Sequence, residues 1–280
     1  MGCCSTVCGG QCVGQIDRQR LGFALRDDED ASLFHRSNFA AVSGTRFLAY
    51  RAIVAIYWTA WAFDDMIEQE LKERYHGHWF IYVTNWSAMV QMVYFWLALA
   101  LSVKAHRESQ AGEAGVSLTG LHKATWFFRE VIAVSSLMVF IMYWLLVYDP
   151  EYSKVTAQNV HVHGINFLLM ASDLALAATP MRIAHLWMPM VYQSVYIVFT
   201  VIYDVAGGLN DGGDGWVYDV LDWDEETGAS FLLTAILLLI VSPLLHSALC
   251  GMSYFFQNLS KAEVPAREGK EFHRHVIITW

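Results

Sequence analysis

Six long apolar runs divide this 280-residue chain, and its basic residues fall almost wholly into every second gap between them. The runs lie at about 45–64, 79–103, 125–148, 161–178, 184–206 and 229–256. Each is roughly 20 residues, the length an α-helix needs to cross ~30 Å of hydrocarbon. Arg18, Arg20, Arg26, Arg36, Arg46 and Arg51 occupy the N-terminal arm and the start of the first run. Lys104, Arg107, Lys123 and Arg129 follow the second run, and Arg182 follows the fourth. Lys261, Arg267, Lys270 and Arg274 follow the sixth. The alternate gaps hold only Lys72, Arg74 and Lys154. Lys and Arg collect on the cytoplasmic side of a membrane. The pattern therefore predicts an all-α polytopic bundle of six transmembrane helices with both termini cytosolic. Core packing in a soluble bundle gives no reason for loop charge to alternate.

Composition agrees: 55% of residues are hydrophobic and 16% are charged, both displaced from soluble averages in the membrane direction. Trp79, Tyr82, Trp86, Tyr143, Trp144, Tyr148, Trp187 and Tyr203 sit near span ends, where amphipathic rings favour the interface. The chain divides into a cytosolic arm (1–44), a membrane domain (45–256) and a cytosolic tail (257–280). The fifth gap carries Asp204, Asp211, Asp214, Asp219, Asp222, Asp224, Glu225 and Glu226 with no Lys or Arg. Such an external face disfavours nucleic acid and anionic lipid. A plasma-membrane location is expected, with the endoplasmic reticulum or another endomembrane as the alternative.

Cys3, Cys4, Cys8 and Cys12 crowd the N-terminus, and Cys250 lies in the last run. A cytosolic arm makes structural disulfides improbable, and no apolar core for a cleavable signal peptide precedes residue 44. Met1-Gly2-Cys3-Cys4-Ser5-Thr6 fits the N-myristoylation pattern, so Gly2 is a candidate for myristoylation and Cys3 and Cys4 for palmitoylation. In a protein already held by its spans, acylation would pin the arm to the inner leaflet or sort the protein among membranes.

Polar residues within the runs are expected to face the bundle interior. His163, Asn166, Met170 and Asp173 are spaced to share one helical face of the fourth run. Thr84 and Asn85 lie five and six residues beyond Trp79 in the second run. Both runs enter from outside, so Thr84, Asn85, His163 and Asn166 fall at similar depth in the outer half of the bilayer. A hydroxyl and an imidazole at one depth could form an activated nucleophile. The same residues could equally be interhelical hydrogen-bonding groups. Arg182 and His185 are candidate partners for Asp173. His246, beside Ser242 and Pro243, reads as a satisfied histidine near a proline kink.

No motif calls for a cofactor or metal. The pairs His76/His78, His161/His163 and His273/His275 are spaced i,i+2, which points the rings to nearly opposite faces of a helix. The stretch 210–215 resembles a calcium loop, but Leu221 stands where the bidentate Glu belongs and Gly212 at the third position, so a turn is expected. P-loop, G-x-S-x-G, H-E-x-x-H and dinucleotide signatures are absent from the sequence.

Several segments in order resemble the rolling stone-like membrane proteins. These are Trp79-Phe80-Ile81-Tyr82-Val83-Thr84-Asn85-Trp86, His163-Gly164-Ile165-Asn166, Asp173-Leu174, Pro180-Met181-Arg182, Ala206-Gly207-Gly208 and Val217-Tyr218-Asp219-Val220-Leu221-Asp222-Trp223. The resemblance runs from roughly Phe34 to Phe256. It implies a six-span membrane protein linked to cell-membrane events, muscle-cell fusion among them. More remotely, the chain is similar to the androgen-induced family of membrane hydrolases, which cleave fatty-acid esters with an intramembrane Thr and His. That likeness would put the nucleophile at Thr84 and the His-Gly pair at His163-Gly164. The family's essential histidine position holds Asn166 here, and an amide is no general base.

Three functions follow, in order of expectation. The first is a non-enzymatic plasma-membrane protein of membrane organisation or cell–cell fusion, working with membrane lipids and with membrane-protein partners or a second copy of itself. The second is a hydrolase of lipid esters, with Thr84 attacking, His163 taking its proton, and Asn85 or Asn166 holding the oxyanion. The third is a proton or cation transporter or channel lined by Asp173, His163 and Asn85.

Overall fold

The computed structural model describes residues 22, 23, 25, 30–72, 77–112, 117–148 and 154–277. The acylation candidates Gly2, Cys3 and Cys4 lie outside them. Among the described residues the protein is helical, and its only strand-like pairing is an isolated bridge between Ser37 and Ala177. Helix α1 is Thr45–Ile67, α2 is Val83–Gln110, α3 is Gly120–Met142 and α5 is Trp187–Val205. Helix α4 (157–176) is built in three pieces, Ala157–Val160, a π-helical turn His161–Ile165, and Asn166–Leu176. Helix α6 joins Thr227–Ile236, a π turn Leu237–Val241 and Ser242–Ile277. Residues 257–277 thus continue the last helix.

The boundaries follow from the local sequence. Asn38 stops α4: its side-chain amide donates to the carbonyls of Ala175 (2.9 Å) and Ala177 (3.1 Å), and its backbone N–H donates to Leu176 O (2.7 Å). Three carbonyls that a helix end leaves free are satisfied this way. Gly77, with φ of 95°, turns the chain into a short 3₁₀ segment, His78–Ile81, before α2 starts. Pro243 lacks the N–H that would bond the Leu239 carbonyl, and the helix widens into a π turn just before it.

The bundle is turned inside out relative to a soluble protein. On α5, Val191, Val195, Val198 and Ile202 form an exposed stripe at spacings of four, three and four. Ile53, Ile56, Phe231, Leu239, Ile240 and Leu244 are likewise exposed. Meanwhile Arg51, Arg129, Glu130, Asp173, Arg182, His185 and His246 are buried. Ions inside and aliphatic side chains outside suit a hydrocarbon solvent.

Among the described residues four segments are long and apolar enough to cross a membrane: Val83–Gln110, Gly120–Leu145, Ile183–Val205 and Thr227–Leu259. The other two long helices fall outside that set for different reasons. Helix α1 carries Arg46 and Arg51 near one end and Asp64 and Asp65 at the other. Helix α4 carries His161, His163, Asn166 and Asp173 along its length.

The main core joins α1, α2, α3, α4 and α6 through Trp58, Tyr94, Phe95, Ala98, Ile132, Met170, Leu174 and Leu249. Trp58 satisfies its indole N–H on Ala88 O at 2.9 Å. A smaller cluster of Phe34, Leu101 and Trp126, with Phe23 and Leu25 against it, closes the end of the bundle that carries Arg182. The opposite end carries Trp79 and Tyr218.

Candidate functional site: a cavity at the Tyr218 end

A cavity of about 390 Å³ opens among α2, α3, α4, α5, α6 and the segment 211–221. Thr84, Asn85 and His163 all line it. All four π turns among the described residues contribute lining: Gln69 from Glu68–Lys72 after α1, Tyr143 and Val147 from Tyr143–Val147 after α3, Val162 and His163 from α4, and Leu237 and Leu238 from α6. A π turn holds one extra residue and widens the helix locally, and such turns recur at functional sites.

Each polar group at the cavity has its own setting. Asn85 donates its amide to Trp79 O at 2.8 Å and so ties the 3₁₀ turn to α2. Trp79 is anchored in turn by Asp65 (2.9 Å) and by Glu70, which accepts the Trp79 N–H at 2.8 Å. Gln158 on α4 also donates to Asp65, at 2.5 Å, so the end of α1 joins α4 and the start of α2. The Tyr218 hydroxyl accepts from Val83 N at 3.2 Å, which sets it beside Thr84 at the start of α2. Burial pushes the Tyr218 phenol above its usual value, so it stays protonated at neutral pH. Tyr196 donates to Ile81 O at 2.8 Å, and Tyr82 donates to Asp211 at the rim. His163 stacks face to face on Tyr143, with centroids 3.5 Å apart and planes within 1°, and its Nδ1 has no hydrogen-bond partner. Its carbonyl accepts from Trp144.

The face of α4 read from sequence is buried, yet its members divide. Asn166 does not line the cavity. It is fully buried, its carbonyl accepts from Gln91 at 3.0 Å, and neither atom of its own amide has a partner. Asp173 lies deeper, accepting from Tyr94 at 2.5 Å and facing Arg129 Nε at 3.6 Å. Its partners are therefore Tyr94 and Arg129, not Arg182 or His185. Those two belong to a different cluster, because Glu130 follows Arg129 directly and points another way around α3.

Glu130 accepts from His185 Nδ1 (3.1 Å), His246 Nε2 (3.1 Å) and the backbone N–H of Arg182 (3.2 Å). One carboxylate thus ties α3 to α6 and to the 182–185 connection. Arg182 also lays its guanidinium over Trp126, 4.6 Å from the ring centroid. Arg51 donates to Phe34 O, Ala98 O and Ser102 Oγ at 2.7–2.9 Å. The sequence reading counted Arg129 as a loop-charge marker and passed over Glu130. An Arg-Glu pair inside the apolar stretch 124–142 was the available signal. Tyr218, Tyr196 and Gln193 carry no such signal: Gln193 and Tyr196 stand singly within the fifth run, and Tyr218 lies in the loop after it.

Among the described residues no group of three His, Cys, Asp or Glu side chains is arranged to hold a metal. The rings of the described His pair part: His161 stacks on Trp61 at 4.9 Å, His163 on Tyr143. The 210–215 stretch is a turn closed on itself, with Asn210 Oδ1 accepting from Asp214 N at 2.9 Å and Asn210 N donating to Asp214 O at 2.8 Å.

A family model described as Protein rolling stone matches residues 7–262. The chain belongs to the rolling stone family. It is 25% identical over 238 residues to Protein rolling stone of Drosophila melanogaster, covering 81% of this chain and 84% of that protein. No solved structure matches it. With the lipid-suited surface and the apolar helices, membership in this family makes the chain an integral membrane protein.

Proposed function

We propose that the protein is a six-span plasma-membrane protein with both termini in the cytosol, acting without catalysis in membrane organisation or cell–cell fusion. The alternation of Lys and Arg between gaps supports the orientation, with the Arg182 end cytosolic and the Tyr218 end outside. Helices α1 and α4 complete the six spans on this reading, their polar residues turned into the bundle. The role in fusion rests on what the family resemblance implies. The observation that carries the non-catalytic reading is the state of the two candidate catalytic groups. Tyr218 is anchored on the backbone beside Thr84, the His163 ring is stacked on Tyr143, and an amide occupies position 166. An activated hydroxyl needs a base within hydrogen-bond reach, and the group at Thr84 is a protonated phenol.

A hydrolase of lipid esters is the second reading, favoured by one fact: Thr84 and His163 line the same cavity. A fluorophosphonate probe separates the two. The non-catalytic reading expects no labelling that depends on Thr84. Hydrolysis of a lipid ester by purified protein, lost in Thr84→Ala, would replace the first reading with the second. Orientation is tested separately by reacting a cysteine placed at Gly213 with an impermeant maleimide on intact cells. Reaction is expected, and protection until the cells are permeabilised would invert the topology.

A further inference from the structure

The cavity carries hydrogen-bonding capacity that the protein does not use. Gln193 on α5 is only 8% exposed, and neither its amide oxygen nor its amide nitrogen has a partner. Ser135 on α3 is 4% exposed, and its hydroxyl has none. His163 on α4 leaves Nδ1 unpaired. All three side chains line the one cavity. Their neighbours there are spoken for: Asn85 on Trp79 and Tyr196 on Ile81. Leaving a buried polar group unsatisfied costs about 1–3 kcal/mol. Three such groups from three helices, aimed into an apolar cavity lined by Met138, Val139, Met142 and Leu237, are the pattern of a ligand seat.

The lining also limits the chemistry of the ligand. No Lys or Arg is among the lining residues, and the carboxylate at the rim is Asp211. An anionic headgroup would be desolvated there without a cation to meet it. A carboxamide and a hydroxyl each donate and accept, so they match a neutral group that does both. At about 390 Å³ the space falls within the range of small-molecule sites. We propose that the cavity binds an uncharged single-chain lipid whose hydroxyl headgroup is held by Gln193, Ser135 and His163, with its chain among the methionine and leucine side chains of α3 and α6. This rests on the chain being embedded in a membrane, but not on whether Thr84 is catalytic.

The test uses the purified full chain in nanodiscs with two photoreactive, alkyne-tagged probes of equal chain length, a monoacylglycerol and a fatty acid. The monoacylglycerol should crosslink to peptides containing 135–143 or 192–197, several-fold above the fatty acid. Gln193→Leu removes at least one hydrogen bond and should lower that labelling roughly fivefold, the effect of about 1 kcal/mol. Met138→Trp fills the space and should lower it as much, while Val195→Leu on the exposed face of α5 should leave it unchanged. Equal labelling by the fatty acid overturns the proposal. So does crosslinking confined to exposed faces and indifferent to Met138→Trp. If Gln193→Leu does not fold, the comparison of the two probes on wild-type protein still decides. Failure of the membrane reading would show first, as protein extracted from membranes by alkaline carbonate.

Discussion

Removing Glu130 should loosen the bundle more than any other single polar substitution. Its carboxylate is fully buried and accepts from His185, His246 and the Arg182 backbone at 3.1–3.2 Å. In Glu130→Ala those three donors lose their acceptor in a space water does not readily reach. Hydrogen bonds to a charged group contribute roughly 1.5–3 kcal/mol each. They share one acceptor and do not add, so the expected loss is the ~3–5 kcal/mol of breaking a buried ionic contact by removing one side. At about 2–4 °C per kcal/mol for a protein of this size class, the melting temperature should fall by roughly 6–20 °C. Glu130→Gln keeps one oxygen as acceptor and should lose about half as much. The assay is thermal unfolding of detergent-purified protein followed by gel-filtration recovery. A double-mutant cycle with His246→Ala should be strongly non-additive, because the second change removes a donor that the first had already stranded. Additive losses, or a Glu130→Ala protein melting within about 2 °C of wild type, would refute the idea that this carboxylate ties α3 to α6.

Four further outcomes are expected. Asn38→Ala frees the carbonyls of Ala175 and Ala177 and should cost about 1 kcal/mol, the size of a lost helix cap, with faster amide exchange confined to the end of α4. Burial and the charge of Arg51 hold His35 below its ordinary value of 6.5, so its neutral form favours the fold. That contribution is present above about pH 6.5 and lost as pH falls, and exchange in 31–42, corrected for intrinsic rate, should rise on acidification and stop doing so in His35→Gln. Asp173→Asn should leave proton and cation flux in liposomes unchanged from wild type, and a flux present in wild type and lost in the variant would make this a conducting protein. Gly2→Ala should abolish incorporation of an alkyne-tagged myristate in cells, and changing Cys3 and Cys4 to Ser should abolish that of a palmitate analogue.

The meeting of Thr84, Asn85 and His163 at one cavity was legible because depth is countable. Two helices entering from the same side place residues by a fixed 1.5 Å rise, and pattern alone set the direction. The pairing of Asp173 was not legible. Arg129, Arg182 and His185 all lie toward one end, and the choice among them depends on how α3 is rotated against α4. Arg129 and Glu130 are adjacent in sequence yet serve opposite sides of α3, one toward Asp173 and one toward His185 and His246. Periodicity could have separated them only once a neighbour was assigned to each face. The π turns were equally hidden, since an i→i+5 bond leaves no spacing signature beyond the proline at 243. Tyr218 was unreadable for a different cause: a loop residue that reaches back to cap α2 is placed by the tertiary fold alone.

On the proposed function this membrane protein works without a catalytic threonine. The most direct measurement is fluorophosphonate labelling in membranes of wild type, Thr84→Ala and His163→Ala, beside a hydrolase that the probe does label. Well-expressed wild-type protein should remain unlabelled under those conditions. Labelling of wild type that disappears in both variants would contradict the claim and make His163 the base for Thr84.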